Sequence, residues 1–106
     1  MNSQSLISEV RENHLALKYQ FIMIELELAE TFCGIAMATN NPRTANRNIV
    51  NAQRAYAAAG QSSQGFEFTD QMADEIEARA CQVSSLISHL SPPSTREVTS
   101  EGRRPA

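Results

Sequence analysis

At the start of the chain, apolar residues recur every three or four positions. Leu6, Val10, Leu17, Phe21, Ile24, Leu28, Phe32 and Ile35, joined by His14, follow one another at spacings of 4, 4, 3, 4, 3, 4, 4 and 3. On an α-helix these positions share an arc of about 80°. A second stripe, Leu15, Tyr19, Ile22, Leu26, Ala29, Cys33 and Met37, lies roughly opposite. Glu9, Glu12, Glu27 and Glu30 separate the stripes on one flank, Lys18 and Glu25 on the other. The pattern predicts one helix over about 5–39, apolar on two faces in its second half.

Asn40-Asn41-Pro42 ends that helix. Proline pushes its predecessor out of the helical region, and Asn41 can cap a following helix that has Pro42 at its first position. The second helix is predicted over about 43–59. Ala45, Ile49, Ala52, Tyr56 and Ala59 share its apolar face, and Arg43, Arg47 and Arg54 lie opposite. Residues 60–68 hold Gly60 and Gly65 and read as a loop, from which Phe66 and Phe68 fold back, with Phe68 stapling a helix capped by Thr69. A third helix is predicted over 70–90. Its apolar face is Met72, Ile76, Ala80, Val83, Leu86, Ile87 and Leu90, with Cys81 pointing away. Residues 91–106 are rich in Ser, Thr, Pro, Arg and Glu and read as a disordered tail. The expected fold is all-α: a three-helix antiparallel bundle in a single helical domain over 1–90.

The predicted lengths do not match. A helix over 5–39 spans ~52 Å, whereas its companions reach only ~26 Å and ~31 Å. Much of residues 5–20 is then uncovered, and a protruding amphipathic helix is marginal in water. The expectation is a two-fold homodimer, with Leu6, Val10, Leu15, Tyr19, Ile22 and Leu26 as the self-association face. The alternative is a kink near residues 13–16 that folds the first piece back into a four-helix monomer.

Composition narrows the function. The chain has 106 residues, 42% of them apolar, with no tryptophan and only four prolines, all outside the predicted helices. The net charge of −3 argues against a general nucleic-acid binder. Cys33 and Cys81 form no disulfide framework, so a reducing, cytoplasmic setting is expected. The N-terminus shows no basic run followed by an apolar one, and no apolar run is long enough to cross a membrane, so neither a signal peptide nor a membrane anchor is expected.

Candidate chemistry is sparse. His14, His89, Cys33 and Cys81 have no partners at metal-ligand spacing. No glutamate precedes a histidine at the spacing a di-iron bundle requires, despite Glu25, Glu27, Glu30, Asp74, Glu75 and Glu77. The expectation is therefore a non-enzymatic interaction or scaffold protein with no cofactor, no metal and no catalytic residues. Arg43, Arg47 and Arg54 are the most organised polar feature. They offer a face to an unidentified protein partner or, as an alternative, to nucleic acid in a regulatory adaptor that also uses Arg103 and Arg104. A third reading is a small enzyme or ligand carrier with a pocket lined by Phe32, Tyr56, Phe66 and Phe68.

Ala52, Tyr56 and Ala59, a small, an aromatic and a small residue at spacings of 4 and 3, resemble the second helix of a tetratricopeptide repeat. The chain lacks that family's Leu-Gly pair in its first helix and has no second repeat. Together with the third helix it resembles small bacterial three-helix bundles of tetratricopeptide-like shape and unknown function. The resemblance implies close helix-turn-helix packing and carries over no peptide-binding residue.

Overall fold

The structure is a computed structural model and describes residues 3–91, with side chains from residue 6 onward. It contains three helices: α1 (Ser3–Ala38), α2 (Pro42–Ser63) and α3 (Asp70–Leu90). Beyond Ser91, the segment read as a disordered tail lies outside the described residues.

α1 is one continuous helix of 36 residues, about 54 Å long. The kinked four-helix alternative is therefore not realised. Asn41 starts α2: its side-chain oxygen accepts hydrogen bonds from the backbone N–H groups of Arg43, at 2.9 Å, and Thr44, at 3.2 Å. Pro42 takes the first position, where the missing N–H costs no intrahelical bond. The three-residue connection turns α2 back along α1, so that Ala59, Gly60 and Ser63 near its end stand beside Ile22 and Leu26.

α2 continues four residues past its predicted end, to Ser63. Gly60 lowers helix propensity without breaking the helix, and the Ser63 hydroxyl donates 2.8 Å to the Gly60 carbonyl. The chain turns instead at Gly65, whose φ of 79° suits a residue without a Cβ. Thr69 then caps α3, its hydroxyl accepting from the Met72 N–H at 3.1 Å.

The core comprises Ile22, Leu26, Ala29, Cys33, Ala52, Ala55, Ala59 and Val83. Five of these eight, Ala29, Cys33, Ala52, Ala55 and Ala59, are alanines or a cysteine at the α1–α2 seam. Small residues on both helices let the backbones approach closely, and α2 accordingly makes the more extensive contact with α1. α3 completes the bundle through Val83, with Ile76, Ala80, Leu86, Ile87 and Leu90 packed around it. No described helix is long and apolar enough to cross a membrane.

Candidate functional site

Both stripes of α1 exist, but they play opposite parts. Of the second stripe, Ile22, Leu26, Ala29 and Cys33 face α2 and α3 and are buried, joined by Ala36, whereas Met37, expected on it, is exposed. Of the other stripe, Leu6, Val10, His14, Leu17, Phe21, Ile24, Leu28 and Ile35 are exposed, whereas Phe32 packs against the core and, with Leu28, borders a groove beside α2. Leu17 is 64% exposed and Ile24 59%, in a region of α1 that α2 and α3 do accompany. The uncovered surface thus extends from the protruding end well into the bundle, as far as Leu28, with Ile35 beyond it.

This corrects the expected self-association face. Ile22 and Leu26 are 0% and 1% exposed, inside the subunit's own core, and cannot meet a second copy. Tyr19 is half-buried and donates its hydroxyl to the Glu75 carboxylate on α3. Leu15 is half-buried as well. Leu6 and Val10 belong to the other stripe and are exposed, lining a shallow apolar depression with Ile7 and Arg11.

The wheel alone does not say which stripe turns inward, because both are apolar. Residue size does. The inward stripe carries Ala29, Cys33 and Ala36, which match the alanines of α2; the outward stripe carries leucine, isoleucine and phenylalanine where that close approach would fail.

The loop after α2 seals one end. The Phe66 ring meets His14 edge-on at 5.4 Å between centroids, stacks near Phe68 at 5.9 Å, and lies 4.9 Å below the Lys18 ammonium. Phe68 packs on the core. The four aromatic residues considered as a pocket do not converge. Phe32 lines a groove with Arg54, while Tyr56 lines a separate cavity with Ile22 and Ile76. That cavity measures about 180 Å³, below the roughly 300–1,000 Å³ of small-molecule sites.

Polar contacts are few. Arg79 on α3 donates to Glu30 on α1 at 3.0 Å, the one ion pair among the described residues. The Tyr19 hydrogen bond, joined by Gln71 at 3.2 Å, holds the Glu75 carboxyl below its usual range. The same bond to Glu75, helped by partial burial, raises the Tyr19 hydroxyl above its ordinary value. Burial and nearby Glu30 push the Cys33 thiol up, away from the reactive thiolate. Cys81 is exposed. Among the described residues no three metal-ligating side chains gather. Arg43, Arg47 and Arg54 are all exposed, and none has an acidic ion-pair partner there.

Fold and surface together define a helical bundle with one uncovered apolar helix face. No family model, curated protein or solved structure matches the chain.

Proposed function

We propose that this chain is a non-enzymatic interaction or scaffold protein that works as a helical homo-oligomer, at its simplest a two-fold dimer. One observation carries the reading: the outward stripe of α1, exposed from Leu6 to Leu28 and again at Ile35, beyond the core-packed Phe32. Scattered exposed apolar residues are ordinary on a surface, whereas a contiguous line of large ones marks an interaction site.

The magnitude is of the order that association requires. Burying the remaining surface of a half-exposed Leu, Ile, Val or Phe is worth about 1 kcal/mol. Seven such residues lie on the stripe, so two copies gain about 14 kcal/mol gross. That is comparable with the ~4–15 kcal/mol lost on association.

The test is the mass of the full chain by light scattering after gel filtration at high micromolar concentration. The expected mass is twice 11.7 kDa. Leu17→Glu combined with Ile24→Glu should give the single-chain mass with helical circular dichroism intact. A wild-type chain that runs as a monomer at that concentration overturns the proposal.

A further inference from the structure

We infer that the outward stripe of α1 pairs with the same stripe of a second copy in parallel, with the two-fold axis running along the helix. The inference rests on the homo-oligomer reading above and adds to it the direction of the pairing and the side chains that set it.

From His14 to Leu28 the outward positions fall at spacings of 3, 4, 3 and 4. This is the 3.5-residue period by which two helices keep one seam in contact along a supercoil. Two copies can meet along that seam in either direction, so the edges of the stripe decide.

The edges differ in charge. A groove between α1 and α2 is lined by Glu25, Leu28, Phe32, Asn51, Arg54 and Ala55, which puts Arg54 of α2 beside the stripe at the level of Leu28. Arg47, two turns away, shares that side of α2. On α1 the same edge carries Arg11, Lys18 and Glu25. This edge is predominantly basic. The other edge of α1 carries Glu9, Gln20 and Glu27 and no base, and the flanking α3 places its Arg79 on Glu30 there, where it is already paired.

A two-fold axis across the helices would set each edge against its own copy, so that Arg54 would approach the partner's Lys18 edge. An axis along the helices sets the basic edge of one copy against the acidic edge of the other. Arg54 then stands at the level of the partner's Glu27, twice per dimer. Arg54 and Glu27 are both exposed, and neither has an ion-pair partner among the described residues of its own subunit. Opposite charges on facing edges are the usual determinant of orientation in paired helices. An antiparallel copy would offer Lys18 only the partner's Glu25, the single acid of an edge that otherwise sets Arg11, Arg47 and Arg54 against one another.

Cross-linking tests the direction. Val10→Cys is placed in the full chain carrying Cys81→Ser, which leaves only the buried Cys33 besides the new thiol. In a parallel pair the two introduced thiols face each other and oxidise to a disulfide-linked dimer. In an antiparallel pair they lie about 35 Å apart, and Val10→Cys links instead to a chain carrying Ile35→Cys. Charge exchange tests the edges. Arg54→Glu alone and Glu27→Arg alone should each weaken dimerisation about tenfold, and the double variant should recover most of it. A dimer that links Val10→Cys only to Ile35→Cys, or a double variant no better than the singles, overturns the parallel arrangement and leaves the homo-oligomer reading intact. A wild-type monomer overturns both.

Discussion

Ile22 and Ile24 have the same side chain, sit two positions apart on one helix, and occupy opposite environments: 0% and 59% exposed. Replacing each with alanine therefore separates folding from association. Ile22→Ala opens a hole among Leu26, Tyr56, Ala59, Ile76 and Ala80, which line the space around it. It should cost about 2–5 kcal/mol of subunit stability. Ile24→Ala removes a side chain that is already mostly in water, so within one subunit it should cost under about 1 kcal/mol. In a two-fold dimer its exposed part is buried twice, and the loss of about 2 kcal/mol should raise the dissociation constant roughly thirtyfold. The assay is urea unfolding at two protein concentrations a hundredfold apart, paired with dilution monitored by light scattering. Ile22→Ala should lower the midpoint at both concentrations. Ile24→Ala should lower it mainly at the higher one, where wild type is assembled. Equal, concentration-independent losses for the two variants would refute the division of α1 into an inner and an outer face.

Two further outcomes are expected. Asn41→Ala should destabilise the fold by about 1 kcal/mol in denaturant unfolding, because two N–H groups at the start of α2 lose their acceptor; an unchanged midpoint would show that water replaces the cap without cost. The Tyr19–Glu75 contact should give a bounded pH window. The lowered Glu75 carboxyl stabilises above the ordinary carboxylate value and loses that effect as pH falls through its depressed one. The raised Tyr19 hydroxyl stabilises below the ordinary phenol value and loses it as pH rises through its elevated one. The stability gap between wild type and Tyr19→Phe should therefore be widest near neutral pH and close at both extremes. A gap that is flat with pH would count against the hydrogen bond.

Much of the fold is legible from local rules. The 3.6-residue periodicity marks α1 and α3. Asn41-Pro42 and Thr69 mark where α2 and α3 begin, because capping is a matter of one side chain and its nearest amides. The end of α2 is less legible: Gly60 and Gly65 look alike in sequence, and only the backbone shows that the second makes the turn. The direction of α1 is harder still. A helix that is apolar on two faces can bury either, and the choice depends on which face fits a neighbour distant in sequence. Here Ala29, Cys33 and Ala36 fit Ala52, Ala55 and Ala59. That complementarity of size overrides the larger hydrophobicity of Leu17, Phe21 and Ile24.

The small side chains at the α1–α2 seam set how closely the two helices approach, whereas the far side of the rod has room to change. If that face is the meeting surface proposed above, exchanging one bulky oily residue for another at positions such as 17 or 24 would alter whom the molecule keeps company with and leave the bundle's own architecture alone. Choice of companion can thus drift, duplicate and diverge in descendants of this chain without any of them first having to relearn how to fold.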